Sequence, residues 1–300
     1  MALITEQRAN RIGAPRTSRS RGARKASRFL RRLPGYAAVA VLLILVVYPL
    51  IWLLLGSFKT QSEFLNSSTT ALPDSFTNFD NYSQAWSSVA LYLRNSLLTV
   101  LPALALIVAF GTAAGFALEI LVWRGRRTTL LLFLAGIMIP GQMILLPLFT
   151  VYFKLHLTGT LWPLIITYTA TGLPLTVFMM ATYFRAVPRE VFEAATIDGA
   201  SVIRSFVSVA FPMMRNSVLT IALVQFFFLW NDLLIALTFT TDDAQRTVQV
   251  GLLNFTGQFG TVEYGPTFAA ICINVLLILA IYLFLNQRVM RGLSAGAVKG

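Results

Sequence analysis

The sequence is poor in the residues that build disulfide scaffolds and metal centres, because its 300 residues include one cysteine and one histidine. A single cysteine, Cys272, excludes a disulfide framework and a cysteine-rich metal site, and its apolar surroundings predict a small packing residue. The single histidine, His156, lies in a short link between apolar segments and lacks the partners of a catalytic triad. We therefore expect no metal in this chain and no hydrolase centre built on histidine.

The sequence also lacks a phosphate-binding loop, since no G-x-x-x-x-G-K-[ST] motif is present. Lys59 precedes Thr60, but Phe58 stands where the motif requires glycine. The stretch 292–296 matches the G-x-S-x-G elbow of hydrolases, yet that elbow needs a strand–turn–helix with a later acid and histidine, and only four residues follow. We expect a chain that is not itself an enzyme and that binds no cofactor of its own.

Charge is scarce as well, because 12% of the residues are charged, against about a quarter in soluble domains. Hydrophobic residues make up 56%, more than a soluble core of this size can hide, which predicts an integral membrane protein. Apolar segments long enough to cross a hydrocarbon layer of about 30 Å are predicted at 35–57, 91–121, 129–153, 161–184, 218–240 and 264–286. The expected fold is an all-α membrane protein with six transmembrane helices within a permease domain at 35–286.

The basic residues are concentrated on one side of the predicted membrane. Ten lie in residues 1–34, whose glycine, proline and serine content predicts a disordered arm. With this arm in the cytoplasm, 20 of the 24 lysines and arginines are internal, so both termini are predicted to be cytoplasmic. A nucleic-acid arm or a secretory signal is the alternative, but no folded basic domain and no cleavage site follow. An anchor that touches anionic lipid is favoured, without a nucleic-acid partner.

The polar segment 185–217 between the fourth and fifth apolar runs predicts two short helices around a glycine turn. Pro188 suits the first turn of a helix, and Asp198-Gly199 ends it because glycine tolerates a left-handed backbone. Ser201 can cap a second helix, which Pro212 is expected to limit. One apolar side of the first helix is predicted to carry Val191, Ala194 and Ala195.

The residues of this segment resemble the EAA loop found in permease subunits of bacterial ABC importers. The resemblance is carried by Glu193, Ala194 and Ala195, then Asp198, Gly199 and Ala200, and then Phe211-Pro212. Asn216 stands where the family often has a second proline. The resemblance implies a cytoplasmic loop that docks into an ATPase subunit, with the residues just quoted as ATPase-coupling residues. An ordinary helical hairpin is the alternative.

Within the predicted spans the polar residues are few, and they suggest a substrate path. Carboxylates occur at Glu119, close to cytoplasmic arginines, and at the deeper Asp232; a buried charge in a membrane marks a function or an ion pair. The sequence Trp230-Asn231-Asp232 resembles the fifth core span of carbohydrate ABC permeases, and Gln225 lies on the same helix face as Asp232. These residues and Asn274 either line a sugar path or hold neighbouring helices together, and both interpretations stay open.

Small residues and prolines predict how the spans pack. Gly111 and Gly115 form a small-xxx-small stripe that favours close helix contact. Kinked or interrupted helices are predicted by Pro140, Gly141 and Pro147 in the third span and by Pro163, Gly172 and Pro174 in the fourth.

The end of the chain, 287–300, resembles the cytoplasmic tail of sugar-importer permeases, particularly the second permease of the maltose-transporter type. The resemblance implies the type I ABC importer permease fold in a bacterial cell membrane. It also implies three partners: a second homologous permease subunit, an ATPase dimer that holds ATP and Mg²⁺, and an extracytoplasmic solute-binding protein. The alternatives are an ABC permease for an amino acid or peptide, an ion-coupled secondary transporter, and a membrane scaffold that recruits partners through its basic arm.

Overall fold

The computed structural model of the protein describes residues 19–68, 70–255 and 262–297, and their elements are helical. In chain order the α-helices are α1 (Arg19–Gly56), α2 (Gln61–Asn66), α3 (Asp80–Glu119), α4 (Arg126–Ile137), α5 (Gly141–Lys154), α6 (Trp162–Arg185), α7 (Glu190–Ile197), α8 (Val202–Ser205), α9 (Phe211–Trp230), α10 (Leu234–Phe239), α11 (Val248–Gly251) and α12 (Tyr264–Ala297). A π-helical turn, Phe206–Ala210, joins α8 to α9, and 3₁₀ turns lie at Asp243–Gln245 and Leu252–Phe255.

The chain divides into two compact units, Met1–Trp52 and Leu53–Gly300. The first contains most of α1, which begins at Arg19, so residues 19–34 are helical where the sequence predicts a disordered arm. The arginines and alanines of this stretch are good helix formers, and they continue into the apolar part of the same helix. Residues 1–18 of the predicted arm, like residues 298–300 of the predicted tail, lie outside the described part of the chain.

Five helical stretches in the described residues are long and apolar enough to cross a membrane: Pro34–Gly56, Asp80–Glu119, Trp162–Arg185, Val202–Trp230 and Tyr264–Phe284. The pair α4 and α5 passes the same test together, with a bend of 94° between the two helices. Counting this pair as one broken span gives six, in agreement with the number predicted from the sequence.

Several boundaries differ from those predicted. Helix α3 begins at Asp80, before the predicted 91–121, and it buries Asn81, Ala85 and Val89 at a spacing of four residues. The predicted span 218–240 is not one helix, because α9 ends at Trp230 and α10 starts at Leu234. Helix α6 runs through Pro174 without interruption, whereas the interruption predicted at Pro140 is present.

Helices α3 and α6 are packed closely along the predicted small-residue stripe. A Cβ added to Gly115 would lie 2.6 Å from the Cβ of Met180, and one added to Gly111 would overlap Thr176. A Cβ on Gly172 would lie 2.5 Å from Ile107 Cδ1. Side chains at these three positions would have to push the helices apart, and the glycines therefore fix the distance between α3 and α6.

The second unit has two clusters of buried apolar side chains. The larger cluster includes Val100, Ile107, Tyr168 and Trp230, and it joins α3, α6 and α9 along much of their length. The smaller one surrounds Phe116 and includes residues of α6, α7 and α9. The smaller cluster thus links the polar segment 185–217 to the membrane helices.

Candidate functional site

The segment 185–217 contains the bent helix that the sequence predicts. The carbonyls at the end of α7 are satisfied by a turn in which Gly199 N–H donates to Thr196 O at 3.0 Å and Ala200 N–H donates to Ala195 O at 2.9 Å. Gly199 has φ of +77°, a left-handed conformation that residues with a Cβ adopt only with strain. The glycine therefore sets the direction in which the chain leaves α7.

The second helix of this segment is longer than expected. Ser201 caps α8 by accepting a hydrogen bond from Arg204 N–H at 3.3 Å, as predicted, but Pro212 does not end the helix. Instead α8, the π turn and α9 are continuous from Val202 to Trp230, with Phe211 N–H donating to Phe206 O across the π turn. The wider π turn relieves the clash that a proline ring has with the carbonyl four residues earlier.

Helix α7 is held to the membrane helices by one aromatic side chain. Phe192 is 8% exposed, and its ring centroid lies 5.7 Å from that of Phe116 in α3. Phe116 also contacts Phe184 of α6 at 5.7 Å and Phe206 of the π turn at 5.3 Å. Sequence reasoning named Val191, Ala194 and Ala195 as the apolar side and missed Phe192, although it is the largest apolar residue of the helix.

An ion pair joins α3 and α6 where this segment begins. Arg185 Nε donates to Glu119 Oε1 at 3.3 Å, and its Nη2 donates to Oε2 at 3.2 Å. The two-pronged geometry fixes the relative orientation of the helix ends. Glu119 thus has an arginine partner, but it is Arg185 of α6 and not one of the nearby arginines at 124–127.

The opposite side of the bent segment is open. Of the predicted coupling residues, Glu193, Ala194, Asp198 and Gly199 are exposed, Ala195 and Ala200 are half-buried, and Pro212 lies at the start of α9. Two large apolar side chains project beside them, since Ile197 is 86% exposed and Ile203 is 76% exposed. Exposed apolar side chains that surround a bend are typical of a contact surface for another protein.

A second candidate site is a cavity of about 660 Å³ among α4, α5, α6, α9 and α10. Its wall includes both predicted path residues Gln225 and Asp232, together with Tyr168, Thr171 and Phe228. The bend between α4 and α5 closes one side through Ile139. The structure thus brings two of the five predicted path residues to one cavity.

Asp232 connects three parts of this wall. Its Oδ2 accepts a hydrogen bond from the Tyr168 hydroxyl at 3.0 Å and another from Ala236 N–H at 3.0 Å. The neighbouring Asn231 is exposed and donates from Nδ2 to Phe227 O at 2.9 Å, which satisfies a carbonyl at the end of α9. These bonds replace the backbone pairs that are lost where α9 stops and α10 starts.

Gln225 joins α9 to α6. Its Nε2 donates to Gly172 O at 3.0 Å and to Thr176 Oγ1 at 2.9 Å. The side chain is 3% exposed, so the amide lies between the helices with one edge at the cavity.

Trp230 and Asn274 are placed elsewhere. Trp230 is 2% exposed, and its Nε1 donates to Asn274 Oδ1 at 3.1 Å, which joins α9 to α12. Neither residue is part of the cavity wall. The aromatic side chains in the cavity wall are Tyr168, which is buried, and Phe228, which is 63% exposed, and the sequence analysis selected neither of them. The neighbours of Phe228 on α9 are also aromatic or aliphatic, and the sequence offers no signal that separates Phe228 from them.

Between α1 and α3 the chain forms a small folded cap around α2. Thr60 and Glu63 form a capping box, and Glu63 Oε1 also accepts from Asp74 N–H at 2.6 Å. Burial raises the pKa of Glu63, but the hydrogen bonds from Asp74 and Thr60 outweigh it, so the pKa lies below its usual value. The cap is therefore an ordered structure.

Among the described residues, no group of three or more histidine, cysteine, aspartate or glutamate side chains is arranged to hold a metal ion.

Comparisons with known proteins agree on one family. Residues 107–291 match the family described as binding-protein-dependent transport system inner membrane component. The chain is 33% identical to the diacetylchitobiose uptake system permease protein NgcG of Streptomyces coelicolor, over 92% of this chain and 93% of that protein. It is 32% identical to the sulfoquinovosyl glycerol transport system permease protein SmoH of Agrobacterium fabrum, over 88% and 93%.

A third relative and a solved structure extend the comparison. The chain is 30% identical to the trehalose/maltose transport system permease protein MalG of Thermococcus litoralis, over 90% of this chain and 98% of that protein. The fold matches a chain of a bacterial ABC transporter involved in the import of the acidic polysaccharide alginate, with a TM-score of 0.74 and 19% identity over 87% of this chain and 97% of that one. The predictions of family and of fold class are confirmed.

Proposed function

Because this chain belongs to the family of binding-protein-dependent transport system inner membrane components, we propose that it is one of two membrane-spanning subunits of an ATP-driven importer. With a second, homologous permease it forms the path of a sugar or oligosaccharide across the bacterial inner membrane. A separate ATPase dimer holds ATP and Mg²⁺, and an extracytoplasmic solute-binding protein delivers the solute. This chain supplies the path and the mechanical coupling, and the chemistry of hydrolysis belongs to the ATPase.

The proposal rests on the two different sides of the segment 185–217. Helix α7 is open on one side, with Ile197 projecting, and on the other side it is fixed by Phe192 to the aromatic cluster around Phe116. A short helix laid in a groove of a partner protein can be moved as a rigid body. Movement of α7 by an ATPase would reach α3 and α6 directly, because both contribute rings to that cluster.

Carbohydrate as the solute is supported by two independent features. The relatives described above are named for diacetylchitobiose, sulfoquinovosyl glycerol and trehalose/maltose, each a sugar or sugar derivative. The cavity beside α9 combines polar groups of Asp232, Gln225 and Thr171 with the exposed ring of Phe228. A few placed polar groups in a mainly apolar wall are typical of a small-molecule site.

The orientation that the mechanism requires has both termini and the segment 185–217 in the cytoplasm. The distribution of basic residues supports it, since 20 of 24 fall on the side of this segment. The same orientation puts the cap around α2 on the outer face, where the solute-binding protein would dock.

The test is Gly199→Val in the complete transporter. A β-branched residue at φ of +77° is strained by at least about 1 to 2 kcal/mol, so the turn after α7 must change direction. We expect normal membrane insertion, a loss of solute uptake of at least about tenfold, and ATP hydrolysis that no longer responds to the loaded binding protein. Uptake of labelled sugar and ATPase rates in proteoliposomes measure both quantities.

Gly35→Val is the matched control. An added Cβ at Gly35 also has nothing within 4 Å, but Gly35 is part of α1 and its φ is not positive. Uptake should be nearly unchanged in this variant. Normal uptake and normal stimulation in Gly199→Val would contradict the coupling role, whereas equal losses in both variants would point to a general sensitivity of the membrane helices.

A further inference from the structure

We infer that the cavity between α6 and α9 accepts uncharged, hydroxyl-rich solutes and excludes anionic ones. The N–H and O–H groups of its polar side chains already donate to partners within the protein, so only their oxygen atoms are available to a solute, as hydrogen-bond acceptors. This inference depends on the proposed function and narrows its solute from sugars in general to neutral sugars.

The amide of Gln225 has no donor left for a solute. A carboxamide has two N–H groups and one acceptor oxygen. Nε2 donates to Gly172 O at 3.0 Å and to Thr176 Oγ1 at 2.9 Å, which uses both hydrogens. The orientation of the amide is fixed because a backbone carbonyl such as Gly172 O can only accept. What Gln225 can offer to the cavity is therefore its Oε1.

The two hydroxyl groups in the wall are engaged in the same way. The single hydrogen of the Tyr168 hydroxyl is donated to Asp232 Oδ2 at 3.0 Å, and that of Thr171 is donated to Thr167 O at 2.8 Å. Each oxygen keeps lone pairs but has no second hydrogen. Both side chains can thus accept a hydrogen bond from a solute without breaking an internal bond, and neither can donate one.

Asp232 adds the charge. Its Oδ2 takes two hydrogen bonds, and an ionised carboxylate has about four acceptor sites, so Oδ1 stays available. The cavity-wall side chains that have described positions include no lysine, arginine or histidine. Most of them are apolar, such as Ile139 and Ile144, and in such surroundings like charges repel more strongly than in water.

A sugar hydroxyl meets these requirements because it brings its own hydrogen and no charge. A carboxylate, sulfonate or phosphate brings acceptors to a wall of acceptors and a negative charge to Asp232. Such a group would be desolvated without a donor or a counter-charge, which is the costly way to bury a polar group. The cavity wall therefore favours solutes that bring hydrogen-bond donors and carry no negative charge, whichever sugar enters.

The experiment places a thiol in the cavity by Thr171→Cys, in the complete transporter with cysteine-free partner subunits. Two methanethiosulfonate reagents are compared, one trimethylammonium and one sulfonate, each normalised to its rate with a free thiol. We expect the cationic reagent to be favoured about fivefold or more, because a like charge within the cavity slows the sulfonate. The unsubstituted chain should not react, since Cys272 is 3% exposed.

Asp232→Asn in the same background tests the source of the preference. Asparagine keeps an oxygen that can accept from Tyr168 and from Ala236 N–H, so the break between α9 and α10 is retained while the charge is removed. We expect the ratio of rates to fall to near one. A thiol at exposed Ser87, on the outer part of α3, is the control, and Asp232→Asn should leave its ratio unchanged.

Protection of the Thr171→Cys thiol separates this inference from the proposed function. A neutral disaccharide should slow labelling, and the matched uronic-acid disaccharide should not. Equal protection by both, or a sulfonate rate as high as the trimethylammonium rate, would overturn the inference and leave the sugar path intact. If neither disaccharide slowed labelling, the cavity would not be part of the solute path. The inference would then be wrong together with that part of the proposed function.

Discussion

The two helix breaks beside the cavity are built in opposite ways. Between α9 and α10 the chain is fixed by side chains, since Asp232 accepts from Tyr168 and from Ala236 N–H, and Asn231 donates to Phe227 O. Between α4 and α5 the described residues use only backbone bonds, such as Met138 N–H to Ala135 O at 3.0 Å.

The burial around the two breaks also differs. Met138 is 83% exposed and Ile139 is 58% exposed. In the other break Asn231 and Leu233 are exposed as well, but Trp230 and Ala236, which flank it, are buried. Irregular backbone within a membrane persists where protein or a wet cavity satisfies its polar groups. The α9–α10 break is therefore a fixed element of the cavity, whereas the α4–α5 bend depends on backbone hydrogen bonds and on Pro140.

The largest loss of stability is expected from Asp232→Ala, which removes the side chain that fixes the α9–α10 break. Two hydrogen bonds to a carboxylate are lost, and Ala236 N–H and the Tyr168 hydroxyl are left without their partner. We expect a loss of about 3 kcal/mol in the free energy of unfolding. The apparent melting temperature of the purified transporter measures it, with Asp232→Asn as the control that keeps both bonds. Equal melting temperatures for the alanine variant and the unsubstituted chain would show that this break is not fixed by Asp232.

A smaller effect is expected from Tyr168→Phe, which removes one of the two donors to Asp232. The carboxylate keeps Ala236 N–H, so the loss should be about 1.5 kcal/mol, roughly half that of Asp232→Ala. Combining the two substitutions should cost less than their sum, because they share one hydrogen bond. Strict additivity in the same melting experiment would contradict a direct bond between the side chains.

The smallest effect on stability is expected from Pro140→Ala, within about 0.5 kcal/mol, because no side-chain hydrogen bond is lost. The restored N–H can pair with Gly136 O, which favours a straighter α4–α5 pair. Spin labels at the exposed positions Leu131 and Val151 should therefore move apart. An unchanged distance would mean that packing alone sets the 94° bend.

The sequence predicted correctly those elements in which a single residue type restricts the backbone to one conformation. The Asp198-Gly199 turn needs a residue that tolerates a left-handed backbone, and Pro140 lacks the N–H that a continuous helix would use. The end of α7 and the break between α4 and α5 could therefore be located without coordinates. The early start of α3 also left a signal, since Asn81, Ala85 and Val89 repeat every four residues. The polar residues between them, such as Gln84 and Ser87, placed this stretch outside the predicted span.

The face of a membrane helix could not be predicted in the same way. Helix α9 is apolar all round because lipid and protein interior both accept apolar side chains, so no periodicity distinguishes Phe228 in the cavity from Trp230 in the core. Pro174 lies inside α6 without interrupting it, because neighbouring helices and side chains can compensate a missing N–H. These outcomes depend on contacts between helices, which a single sequence does not record.

The ring of Phe116 is shared by three partners, Phe184, Phe192 and Phe206, which belong to α6, α7 and the π turn. A smaller residue at this position would weaken three contacts between helical elements at once. Phe116 therefore connects α3 to three other elements, and a substitution there would affect all of these contacts together. Any variant of this chain that changes Phe116 would have to rebuild the surrounding aromatic contacts together, because no one of them can be refitted alone.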